Sequence, residues 1–224
     1  MPARSAATAA LLLACAAWGC FPKQPGPRLA HFESTAPAPG EIAPNFALPD
    51  LAGGELRLAD HVGARPLVLV LGSESCPVFR HRRHWLRALE RRYRGRVGFL
   101  AVYTREAHPV GSPSPYTGEE WDLWVNRVSG VRVPAAASLA SRVEQARRAE
   151  RRLGLPMPFA VDTLDDTVWR AYGAASAPAF AIDTRGRVAA RQVWSDPSAL
   201  RRVLDALLRE DASPIPDGAE PEAR

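Results

Sequence analysis

The chain has 224 residues, 46% of them hydrophobic and 24% charged, with a net charge of +5. This is the composition of a soluble globular protein with room for one ordinary domain and tails. The basic excess is mostly arginine, in runs such as Arg80–Arg83 and Arg147–Arg152 that read as solvated helix faces. No zinc-finger, RNP or basic-zipper pattern points to nucleic acid.

The first segment reads as a targeting signal. Arg4 precedes a small-residue and apolar run from Ala6 to Trp18, the length of a signal h-region and too short to span a bilayer. It ends Ala17-Trp18-Gly19-Cys20, which resembles a bacterial lipoprotein signal with Cys20 as the lipidated residue. The expectation is an exported cell-envelope protein, membrane-anchored through that lipid on the periplasmic or outer face. After this signal peptide (1–20), residues 21–40 are rich in Pro, Gly and Ala and read as a linker. Residues 41–209 form the domain, and 210–224 an acidic tail expected to be disordered.

Of three cysteines, Cys15 and Cys20 fall in the signal region, so Cys76 stands alone in the globular part. It cannot close an internal disulfide. A lone thiol in an oxidising compartment is either inert by burial or present for its reactivity.

Within the domain, Pro44 to Leu58 with its Gly53-Gly54 turn predicts a small hairpin. The apolar run Pro66 to Leu71 predicts a strand buried on both faces. Cys76-Pro77 then opens a helix carrying Phe79, Trp85, Leu86, Leu89 and Tyr93, ended by Gly95. Val97 to Tyr103 is a second buried strand. Residues 109–135, rich in Pro, Gly and Ser, read as a long insertion with a short helix. A helix over 138–153, a strand from Pro158 to Asp162 and a short helix from Leu164 to Tyr172 follow. The pattern closes with Phe180 to Ile182, a turn at Thr184-Arg185-Gly186, Val188 to Val193, and a helix from Pro197 to Leu208. This order matches an α/β thioredoxin-like fold of the peroxiredoxin/redoxin branch, with an N-terminal β-hairpin and an insertion after the second central strand.

Cys76 sits where a buried strand hands over to a helix. Unpaired N–H groups at a helix N-terminus stabilise an anion, so the expectation is a thiol with a lowered pKa. Pro77 suits the first helical turn, Arg80 one turn on adds positive charge, and Ser73 and Ser75 are nearby donors. Pro178 directly precedes a strand, the place where thioredoxin-like folds hold a cis-proline facing the thiol. His81 and His84, among arginines, read as exposed surface, while Trp121 and Trp124 could either lid the site or pack beneath the insertion. A Cys-x-x-Cys pair would need a cysteine where Phe79 stands, and no metal site or cofactor is expected.

The stretch Leu71-Gly72-Ser73-Glu74-Ser75-Cys76-Pro77-Val78-Phe79, followed by Tyr103-Thr104-Arg105-Glu106-Ala107-His108, resembles the iodothyronine deiodinase family. Its members read roughly Gly-Ser-x-Thr-Sec-Pro-x-Phe and then Tyr-x-x-Glu-Ala-His. Val161 to Asp166, Tyr172-Gly173-Ala174 and Ile182-Asp183 continue the similarity, which covers about residues 40–205. The resemblance implies that Cys76 stands in the place of the selenocysteine nucleophile, with Glu106 and His108 as its polar partners. His108 would assist proton transfer and Pro178 would shape the substrate groove, with Ser73, Ser75 and Arg80 nearby. The expected function is a thiol-dependent oxidoreductase acting on a small molecule (halogenated phenol, peroxide or disulfide). With no resolving cysteine, an external thiol reductant or thioredoxin-like reductase must regenerate Cys76. Two alternatives stay open: a one-cysteine peroxiredoxin-like thiol peroxidase, and a non-enzymatic envelope lipoprotein using the fold as a binding module.

Overall fold

The computed structural model describes residues 27–211, so the expected signal segment with Cys15 and Cys20, and the expected tail beyond Asp211, lie outside the described residues. Among the described residues no helix is long and apolar enough to cross a membrane.

The elements run α1 (Pro27–Thr35), β1 (Ala47–Pro49), β2 (Glu55–Arg57), β3 (Leu67–Gly72), α2 (Pro77–Tyr93), β4 (Gly98–Tyr103), α3 (Trp124–Val128), α4 (Leu139–Leu153), β5 (Phe159–Val161), α5 (Thr167–Ala171), β6 (Ala179–Ile182), β7 (Val188–Gln192) and α6 (Pro197–Asp211). β1 and β2 form the predicted antiparallel hairpin. The central sheet has the order β5-β4-β3-β6-β7, with β3, β4 and β5 mutually parallel and β6 and β7 antiparallel to their neighbours. This is the expected thioredoxin-like α/β architecture.

β3 and β4 are buried along their whole length, which is why both read as unbroken apolar runs. Their pleat divides the core. Val68 and Val70 face α2, α4 and α6, whereas Leu67, Leu69 and Leu71 face the hairpin, α1 and α5. α4 begins at Ser138, whose side chain and that of Ser141 form a capping box, and stops at Gly154 in the left-handed conformation.

The linker expectation is corrected for part of its length. Residues 27–35 are helical, and Phe32, 1% exposed, packs in the core beside Phe180. The reason is burial: one aromatic side chain fills a hole at Gly173 (φ 85), where a Cβ would overlap the Phe32 ring and Ala36. Pro27 opens the helix at its first position, where a missing N–H costs nothing, and Gly40 (φ 92) lies beyond its end.

The expectation of a cis-proline is also corrected, since no described peptide bond is cis and Pro178 is trans. The chain reversal ahead of β6 is made instead at Gly173 (φ 85) and Ala174 (φ 51). Trans is also the form an X–Pro bond favours unless its surroundings demand otherwise. Pro178 is buried, and its carbonyl accepts the Leu71 N–H at 3.0 Å, tying β6 to β3.

Candidate active site

Cys76 is the N-cap residue of α2, with extended backbone (φ −75, ψ 112) and Pro77 in the first helical turn. Its N–H donates to the Ser73 carbonyl at 3.2 Å and its carbonyl accepts the Arg80 N–H at 3.2 Å. The side chain is 1% exposed. Burial pushes its thiol pKa up, which corrects the expectation of a lowered one. The helix N-terminus and Arg80 do act against burial as expected, through the N–H groups of Phe79 and Val78 and the guanidinium charge, and the hydroxyl that favours the thiolate is that of Ser176 rather than Ser73 or Ser75. Desolvation outweighs them, so the resting group is a thiol.

The loop before Cys76 is bolted to the loop after β4. Ser75 N–H donates to Glu106 Oε2 at 2.8 Å, the His108 N–H donates to Ser75 Oγ at 2.9 Å, and the Ala107 N–H donates to Ser73 Oγ at 3.1 Å. Both hydroxyls are therefore consumed in joining the two loops, and both serines are buried. Glu106 is buried and also accepts from the Tyr103 hydroxyl. Burial raises its carboxyl pKa despite these donors.

Arg80 is held by the Glu74 carbonyl at 2.5 Å and by Asn126 Oδ1 at 2.6 Å. Asn126, on the insertion helix α3, donates through Nδ2 to the Ser75 carbonyl at 2.9 Å. The insertion thus fixes the Cys76 loop from the outside. Glu74 is 1% exposed and is paired with Arg148 and Arg152, both at 2.9 Å.

Cys76 and His108 line one cavity of about 450 Å³, with Trp121, Tyr116, Ser176 and Trp194 in its wall. The rest of the wall is largely apolar, the usual character of a small-molecule site. His108 is 8% exposed, and its Nδ1 has no hydrogen-bond partner. Its ring meets Trp121 edge to face at 4.4 Å. Burial, with help from the Arg80 charge, lowers the imidazole pKa to about 4, so His108 is neutral at pH 7.

The structure therefore brings Cys76 and His108 to one cavity and places Glu106 behind them as a buried strut. Ser73, Ser75 and Pro178 do not line that cavity, and Arg80 lines a neighbouring groove. His81 and His84 are exposed as expected. Of the two tryptophans left open, Trp121 walls the cavity and Trp124 is 70% exposed. The reading of the sequence missed Tyr116, whose hydroxyl accepts from Trp169 Nε1 at 3.0 Å, as well as Asn126 and Ser176. Tyr116 and Asn126 lie in the insertion, where no periodicity marks them. Ser176, two residues before Pro178, carried the clearest available signal. Among the described residues no group of His, Cys, Asp and Glu could hold a metal ion.

Comparison with known proteins places the chain in a family. Residues 27–195 match the family described as iodothyronine deiodinase. Thyroxine 5-deiodinase of Gallus gallus is 36% identical over 138 residues, covering 60% of this chain and 48% of that protein. The chain thus spans about half the length of that relative. Thiol-disulfide oxidoreductase ResA of Geobacillus thermodenitrificans is 29% identical over 157 residues, 70% of each protein. The crystal structure of a DsbF homologue from Corynebacterium diphtheriae shares the fold, with a TM-score of 0.52 at 16% identity, over 75% of this chain and 88% of that one. The matched region takes in the hairpin, the Cys76 junction, the Glu106–His108 segment and the sheet, and the chain belongs to the iodothyronine deiodinase family, a thioredoxin-fold redox family.

Proposed function

We propose that the protein is a thiol-dependent oxidoreductase in which Cys76 attacks an electrophilic atom of a small substrate, with the halogen of a halogenated phenol as the leading case. The observation that carries this reading is the shared cavity: a lone thiol and a neutral histidine with an unpartnered Nδ1 meet in an aromatic-walled space of about 450 Å³. Such a wall suits an aromatic ring better than a peroxide or a charged peptide.

The chemistry balances with these two groups. The Cys76 proton leaves through His108 in concert with attack of the sulfur on iodine, and the carbon–iodine bond breaks as the sulfur–iodine bond forms. The carbon receives the proton back from His108. Carbon is reduced by two electrons and sulfur is oxidised by two, giving a sulfenyl iodide. An external thiol displaces iodide to form a mixed disulfide, and a second thiol releases Cys76 and a low-molecular-weight disulfide. Among the described residues Cys76 is the one free cysteine, and Phe79 occupies the position a resolving partner would need. Export, with anchoring through Cys20, belongs to the same proposal and is checked by membrane fractionation of the Cys20→Ser variant.

The test is iodide release from an iodinated phenol with excess dithiol. Release is expected to vanish in Cys76→Ser and to fall roughly 10²–10⁴-fold in His108→Ala, the usual worth of a general acid–base group. Release unchanged by either substitution overturns the assignment.

A further inference from the structure

A second cavity, about 730 Å³ in volume, opens on the outer face of α2. Four arginines, Arg80, Arg82, Arg83 and Arg152, line it together with His81 and His84, and no carboxylate does. Arg152 is offset by Glu74, but among the described residues Arg80, Arg82 and Arg83 form no ion pair with an acidic side chain. Arg80 is immobilised by the Glu74 carbonyl and Asn126, and Arg83 leans on the Arg152 carbonyl. Part of the cationic lining is thus organised before any ligand arrives. Pro77 and Val78 line this groove and also the apolar cavity that holds Cys76. Two spaces of opposite chemistry therefore adjoin across the first turn of α2.

We infer that the basic groove binds the reducing co-substrate, a low-molecular-weight thiol bearing one or more carboxylates. This rests on the reading of Cys76 as a group oxidised in turnover. An oxidised Cys76 needs two equivalents of thiol, and no arginine or lysine lines the aromatic cavity to pair with a carboxylate. Guanidinium groups take carboxylates through paired hydrogen bonds, and their field raises the thiolate fraction of a bound thiol. Its carboxylates sit against Arg82 and Arg83 while its sulfur reaches over Pro77 and Val78. That thiolate attacks the Cys76 sulfur, the sulfur–leaving-group bond breaks, and the mixed disulfide forms with release of the leaving anion. A second thiolate attacks the co-substrate's sulfur, returning Cys76 as thiolate, which takes a proton, and releasing the symmetrical disulfide. The groove's volume is that of a small-molecule site.

The test uses the Cys76→Ser protein and S-methylglutathione, a non-reducing thioether with two carboxylates, in calorimetric titrations. Saturable binding is expected, weakened at least tenfold by Arg82→Gln with Arg83→Gln and weakened again between 50 and 300 mM salt. In the Cys76 protein the ratio of KM for glutathione to KM for neutral dithiothreitol is expected to rise about tenfold in the same double variant. Absence of saturable binding, or binding indifferent to both arginines and salt, overturns the inference. Arginine-dependent binding by a protein that releases no iodide removes the dehalogenation reading and leaves the anion groove standing.

Discussion

The carboxylate of Glu106 accepts the backbone N–H of Ser75 at 2.8 Å, so the residue before the thiol hangs from the loop that follows β4. The other oxygen of that carboxylate takes the Tyr103 hydroxyl. Glu106→Ala strands both donors in the interior, at a cost of about 1–3 kcal/mol for each group left unpaired. Tyr103→Phe removes one of those donors. The double variant is therefore expected to unfold at a higher urea concentration than the sum of the two single losses predicts. Simple additivity would show that the strut is not a coupled unit.

His108 makes acid stability a reporter of the site. Its folded-state pKa lies near 4, below the ordinary 6.5. Between these values the unfolded chain binds the proton and the folded chain does not, so stability rises with pH across that window and is lost on acidification. The full effect is on the order of 3 kcal/mol. His108→Gln carries no titrating group there, so its urea midpoint should change less between pH 4 and pH 6.5 than that of the parent. Equal pH dependence in the two proteins would place His108 in contact with solvent.

Phe32 tests whether the segment before the hairpin belongs to the domain. It is 1% exposed and its ring fills the space over Gly173. Phe32→Ala is expected to cost about 3–5 kcal/mol, as for other buried aromatic truncations. A loss below about 1 kcal/mol, read from the denaturant midpoint, would return α1 to the status of a tether.

Much of this architecture is legible in the sequence because local physics decides it. The run through Leu67 to Leu71 is apolar at every position, short and bounded by turn residues, as a strand buried on both faces requires. Ser138 and Gly154 bracket α4 with a cap and a left-handed stop. Cys76 and His108 follow adjacent parallel strands, and that alone places them at one edge of the sheet. What the sequence hides depends on distant packing. The thiol's raised pKa comes from burial contributed by the whole cavity, and a helix N-terminus could not forecast it. Tyr116 and Asn126 reach the site from an insertion without periodicity. Phe32, with Arg191 bonded to Glu33 and to the Ala36 carbonyl, keeps α1 in place within a stretch whose composition reads as linker. Pro178 stands where expected, but Gly173 and Ala174 make the reversal with a trans bond.

The most direct measurement is the fate of Cys76 when the protein meets an iodinated phenol without reductant. The sulfenyl iodide hydrolyses to sulfenic acid and iodide, and dimedone captures the sulfenic acid as a stable thioether. Mass spectrometry is expected to find near-stoichiometric dimedone on Cys76, with one iodide released per chain, and far slower labelling in His108→Ala. A native protein in which Cys76 stays unlabelled, while the same cysteine alkylates freely once the chain is unfolded, would make it a packing residue and contradict the account.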